Sequence, residues 1–163
     1  MLFRSAVFVG SWTLDAAEGI CGDLGAAELD EAPAKAALGP PRTRLPGEEV
    51  LDRLTSLADK SLVSADEAGG EVRYRLIETL RQYAAEKLVE AGEDAELRDR
   101  HLAWYLGLAE RAEPELIGSE QVVWLDRLET EHENLRAALD CAIVRRKSSM
   151  VWPGIGFGRK PTK

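Results

Sequence analysis

The sequence predicts a mainly α-helical protein with one small β-hairpin: a winged helix-turn-helix followed by an antiparallel, TPR-like helical hairpin. Two observations carry this. Residues 50–91 read as helix, strand, tight turn, strand, helix, which is the second half of a winged helix. Beyond them, residues 95–111 and 120–144 carry two long helical periods separated by Pro114 and Gly118. The spacing divides the chain into a winged-helix unit over 1–92, a helical hairpin over 93–145 and a basic tail over 146–163.

Taken in order, Met1–Gly10 offers Leu2, Phe3, Ala6 and Val7 as the inner face of a short helix. Ser11-Trp12-Thr13 breaks it, with Trp12 as a core anchor and Thr13 as N-cap of a helix over Leu14–Ile20. Leu14, Ala17 and Cys21 share that helix's inward face. Residues 22–47 hold four of the fourteen glycines and four of the seven prolines, so they read as a surface loop insertion. Val50, Leu51, Leu54, Leu57 and Ala58 then recur at helical spacing. Strands are expected at Ser61–Ala65 and Val72–Leu76, joined through Ala68-Gly69-Gly70, whose glycines suit the positive φ of a hairpin turn. Such a ribbon is unstable alone, so helices must cover its apolar face. Ile77, Leu80, Ala84, Leu88 and Ala91 form the next stripe, closed by Gly92 at C′.

In the hairpin, Leu97, His101, Leu102, Tyr105, Leu106, Leu108 and Ala109 lie near the buried side of the first helix. Leu125, Leu128, His132, Leu135, Leu139 and Ala142 recur at alternating three- and four-residue steps, the pattern of a helix packed lengthwise on another helix. His132 is expected to be packed within that stripe, and Asn134 to hydrogen-bond a neighbouring turn. TPR-like arrays need about three repeats, and this chain supplies one. From Arg146 onward the helical pattern fails.

Charge narrows the function. The chain holds 21 basic and 29 acidic residues, net −8. Six of the basic residues and no acidic ones lie from Arg145 onward, so residues 1–144 carry net −14. A body this acidic repels phosphate over about a Debye length. The helix at the DNA-reading position, Glu48–Lys60, is itself net −2, with Glu48 and Glu49 at its N-terminal end. Arg73 and Arg75 on the ribbon, with Arg81 nearby, form the one compact basic cluster before the tail. Ion pairs to surrounding carboxylates are the favoured reading of that cluster, and phosphate or partner contact is the sharper alternative.

No P-loop sequence is present, Gly154–Gly158 lacks a flanking strand and helix, and no GxSxG elbow occurs. His101 and His132 have no His or Cys neighbour at ligand spacing, and the carboxylates, Glu129, Glu131 and Glu133 among them, read as a solvated helix exterior. The expectation is therefore a protein that is not an enzyme and binds no cofactor or metal. Cys21 and Cys141, far apart and outside any CxxC, read as free thiols in a reducing cytoplasm. No apolar run has the length of a membrane span.

LADKSLV, RYRLIETLRQYAAEKL and WLDRLETEHENLRAAL, spread over a matching region of about residues 2–145, resemble a segment of the large bacterial STAND-type signalling ATPases, including LuxR-type and SARP-type transcriptional regulators. The resemblance implies a winged helix lying between a nucleotide-binding domain and a superhelix of TPR-like repeats, shortened here at both ends. It implies protein partners on both sides, with apolar edges open to self-association, and DNA contact disfavoured by the acidic third helix.

Overall fold

The computed structural model describes residues 1–22, 47–68 and 70–149. The insertion expected at 22–47 lies outside the described residues except at its two ends. So do Gly69, Gly154–Gly158 and most of the basic tail.

The chain is mainly helical with a small antiparallel sheet. A 3-10 turn at Arg4–Val7 leads to β1 (Ser11–Thr13), α1 (Leu14–Cys21), α2 (Gly47–Asp59), β2 (Val63–Ala68) and β3 (Glu71–Leu76). Then come α3 (Glu78–Glu90), α4 (Asp94–Glu115), α5 (Gln121–Thr130) and α6 (His132–Ser149). The order turn, strand, helix, helix, strand, strand is that of a winged helix, and the hairpin of α4 against α5–α6 packs on its flank.

The sheet holds a third strand. β1 lies on the far side of β3 from β2, with Trp12 opposite Tyr74 and Val63 opposite Leu76. The expected helix over Met1–Gly10 is a single 3-10 turn, because Phe8 leaves it extended to stack on Trp12, 4.8 Å between centroids, and both rings are fully buried. Gly10, at φ +83°, then turns the chain into β1. What looked like a helix breaker at Ser11–Thr13 is a strand.

Several local signals hold. The Thr13 hydroxyl accepts from Ala16 N–H at 3.2 Å, capping α1. At its other end two guanidinium groups take the terminal carbonyls. Arg4 donates to Cys21 O, and Arg100 to Gly22 O at 2.6 Å, cations suited to the negative end of the dipole. Gly92, φ +71°, closes α3 in a Schellman arrangement, with Glu93 N–H on Leu88 O and Gly92 N–H on Val89 O. Ser61 does the same for α2, at φ +56°, with Leu62 N–H on Leu57 O. That cap is why β2 starts at Val63 and not at Ser61. Ala68 pairs with Glu71 across a two-residue turn, where Gly70 has φ +81°.

The core gathers Phe8, Trp12, Ala17, Ile20, Cys21, Val50 and Leu54 under the sheet and joins Leu97, Tyr105 and Leu108 of α4. Both cysteines are free, and burial pushes the Cys21 thiol up to about 12.

The hairpin departs from expectation in four ways. Leu106 and Ala109 are exposed, whereas Leu97, His101, Tyr105 and Leu108 are buried as expected and Ala112 joins them. Pro114 sits inside the last turn of α4 rather than ending it. The period over 120–144 is interrupted at Glu131, and its leucine stripe is not the buried face. His132, Leu125 and Leu139 are exposed, while Glu131, Asn134 and Ala138 face inward. α6 also continues to Ser149, because Arg and Lys favour helix and nothing before that point breaks it.

Candidate functional site

The three arginines singled out by the sequence do not form a cluster. Each has a different fate, set by the element that carries it. β3 places Arg73 and Arg75 on one sheet face, since side chains alternate along a strand. Arg75, opposite Ser11 and Ser64, is exposed. Arg73, opposite Thr13 and Asp66, lies under the hairpin. Arg81, on the first turn of α3, is clasped by Glu78 through two hydrogen bonds of 2.8 Å, which hold the Glu78 carboxyl down at about 2. Ion pairing thus accounts for Arg73 and for the partly exposed Arg81, and Arg75 alone of the three is without an ion pair among the described residues.

Arg73 is the hub of a buried polar network. Its Nη2 lies 2.7 Å from Glu131 Oε1, with the two side chains 8% and 7% exposed. Its Nε donates to Ser11 Oγ at 3.0 Å and its Nη2 to Ser11 O at 3.1 Å. On the other side of the carboxylate, Tyr105 Oη donates to Glu131 Oε2 at 3.1 Å. Asn134 completes the set: Nδ2 donates to Glu131 Oε2 and to Ser11 O, while Oδ1 accepts from Val9 N–H at 2.8 Å. The expected bond from Asn134 to a neighbouring turn is therefore present. Five elements meet here: the turn before β1, β1, β3, α4 and the α5–α6 junction.

The energetics favour precise assembly over raw stability. A buried ion pair gains little over well-packed apolar residues, whereas removing one partner strands the other charge. Here each carboxylate oxygen and the inner guanidinium nitrogens have partners, so the charge is satisfied. Burial, and then the adjacent carboxylate, raise the Tyr105 phenol far above its usual range, so it stays a donor. Next to it, His101 packs 4.6 Å from the Tyr105 ring with Nε2 unpartnered, and burial lowers its pKa to about 4. His101 also borders a cavity of about 500 Å³ between the 3-10 turn, α3, α4 and α6.

Sequence patterning singles out neither Glu131 as the partner of Arg73 nor Tyr105 as a donor to Glu131. By sequence Glu131 reads, with Glu129 and Glu133, as part of a solvated helix exterior, and the structure buries it. The available signal was its spacing: Glu131 lies three residues before Asn134, so the two share one helix face, and a polar pair on a packed face points to a network.

On α2, Glu49, Leu51, Asp52 and Thr55 face outward, and Arg53 is held by Glu49 at 3.3 Å. Among the described residues no group of three His, Cys, Asp or Glu side chains is placed to hold a metal. Nor is any described helix long and apolar enough to cross a membrane.

Comparison with known proteins gives a partial match. The chain is 49% identical over 89 residues to a protein of Mycobacterium tuberculosis named "Putative HTH-type transcriptional regulator", and equally to its Mycobacterium bovis counterpart. That region is 55% of this chain and 10% of the relative. An uncharacterized M. tuberculosis protein is 36% identical over 93 residues, 57% of this chain and 19% of its own. The chain thus spans about a tenth to a fifth of the length of these relatives. No family model matches, and no solved structure does.

Proposed function

We propose that this chain is a non-catalytic module of a transcriptional regulator. Its winged helix passes a conformational state between neighbouring protein domains, and does not itself read DNA. The observation that carries this reading is the burial of Arg73 against Glu131. It turns a basic residue of the wing away from any phosphate and ties the wing to the hairpin. The outward acidic face of α2 supports it, because DNA-reading helices present Arg, Lys, Asn or Gln. The printed name of the 49% identical relatives supports the regulatory setting.

The finer form of the proposal follows the resemblance to STAND-type regulators. Residues 1–92 act as the winged-helix relay and 93–145 as the start of a helical repeat region. An upstream nucleotide-binding domain is the source of the signal, and downstream repeats receive it. The second reading, a winged helix that binds DNA through Arg75, is favoured by the helix-turn-helix name of the relatives.

Fluorescence anisotropy of labelled duplex DNA, titrated in salt with and without residues 150–163, separates the two. The relay reading expects no binding by the shortened chain. Salt-dependent binding with a Kd of about 10⁻⁴ to 10⁻⁶ M, abolished by Arg75→Glu, would replace it with the DNA-binding reading.

A further inference from the structure

The 3-10 turn, α3, α4 and α6 enclose between them the cavity of about 500 Å³. It stays open because each of the four contributes an alanine, Ala6, Ala85, Ala95 and Ala137, where longer side chains would meet and fill the space. Val7 and Leu88 extend the apolar wall, and the volume is in the range that takes a small molecule. The charged side chains at the border do not call for an ion. Arg81 is held by Glu78 and Arg98 by Asp94, both at 2.8 Å, and Asp140 is open to water.

The bordering group that lacks a partner is His101. It is 3% exposed, its ring forms part of the wall, and its Nε2 makes no hydrogen bond. The polar network fixes what that nitrogen needs. Asn134 gives its two amide hydrogens to Ser11 O and Glu131 Oε2, so in its hydrogen bond with His101 the ring is the donor. A neutral imidazole that donates through one nitrogen presents a bare lone pair on the other, and burial keeps this ring neutral. Nε2 is then a buried acceptor without a donor.

We propose that the cavity binds a small, neutral, mostly apolar molecule with one N–H or O–H group, which donates to His101 Nε2 while the apolar body rests on the alanine-lined wall. A charged molecule would lose its hydration there and find the bordering arginines already paired. Two walls come from the winged helix and two from the hairpin, so occupancy ties one to the other. Binding does not depend on the relay reading; where that reading holds, the molecule is a further input to it.

Cys141 borders the same cavity and supplies the readout. The chain has two cysteines, and Cys21 is fully buried with its thiol pushed up to about 12, so it reacts slowly. The rate at which DTNB modifies the full chain therefore reports Cys141. Indole, with one N–H, is the probe, and 1-methylindole has nearly the same shape without the donor. Indole should slow the reaction saturably, with a Kd between about 10 μM and 1 mM. Its methylated counterpart should need roughly five- to tenfold more. In His101→Phe the two should protect alike. Ala137→Leu, which fills the cavity, should abolish protection by both while circular dichroism shows the fold intact. A rate indifferent to indole, equal protection of the unaltered chain by the two compounds, or protection that survives in folded Ala137→Leu would each overturn the proposal. The comparison of the two compounds is made on the unaltered chain, so it decides the matter even where a variant does not fold.

Discussion

Two faces of one helical arm invert the usual distribution of polarity. Towards the wing, α5–α6 buries a carboxylate and an amide, Glu131 and Asn134. Away from it, the same arm exposes Leu125, Leu139 and Ile143. A buried charge is expensive unless every partner is in place, whereas an apolar stripe packs against many surfaces. The first face therefore accepts only one arrangement of wing and hairpin. The second is the kind of surface that remains available to another chain. Precision inside and availability outside are what a relay module requires.

The largest effect should come from breaking the inner face. Glu131→Ala leaves Arg73 buried without its counter-charge and strands the Tyr105 hydroxyl, so a loss of about 3–5 kcal/mol is expected in urea unfolding. Replacing both partners, R73M with E131L, should recover most of that loss, because the penalty lies in the orphaned charge. A double variant as unstable as the single one would show that the network supplies net stability, and not mainly specificity.

Acid should act next most strongly, through His101. Its folded pKa of about 4 lies below the usual value of 6.5, because burial disfavours the imidazolium. Between these values the unfolded chain holds a proton that the folded chain lacks, so stability rises with pH. The contribution, roughly 3 kcal/mol, is fully present above pH 6.5 and is lost as pH falls towards 4. Unfolding midpoints at pH 7 and pH 5 measure it. His101→Phe should flatten that slope, and a slope unchanged by the substitution would assign it to other groups.

Asn134→Ala follows, at about 1–3 kcal/mol, since the part-buried Val9 N–H loses its acceptor and Glu131 and Ser11 O lose a donor. Hydrogen exchange should then speed up at Val9 and in β1 while the far end of α4 stays protected. Uniform loosening of the whole chain would mean that Asn134 holds more than the turn before β1.

The features legible in the sequence were those with local causes. Thr13 announces a cap, Gly92 a helix end, and Gly70 a hairpin, each through the conformation of a few residues. Asn134 stood out because an amide in an apolar period needs a partner. What stayed hidden depended on distant residues. β1 is three residues long and becomes a strand only by pairing with β3. The leucine period predicts one helix packed lengthwise, but the structure breaks it at Glu131 into α5 and α6 and leaves Leu125 and Leu139 exposed, because periodicity names a stripe without saying which neighbour covers it. Glu131 looked like any surface glutamate until Arg73 was brought against it from the wing.

The smallest expected effect is the most discriminating about function. Arg75 is exposed on β3, with no ion pair among the described residues, so Arg75→Glu should change stability by no more than about 0.5 kcal/mol. In the relay reading the substitution therefore leaves unfolding where it was, and there is no DNA affinity to lose. In the DNA-binding reading the same substitution abolishes binding, because the charge that would face the phosphates is reversed. The two arginines of the wing differ in this way: reversing Arg73 should damage the fold, whereas reversing Arg75 reports only on what the outer surface of the wing touches.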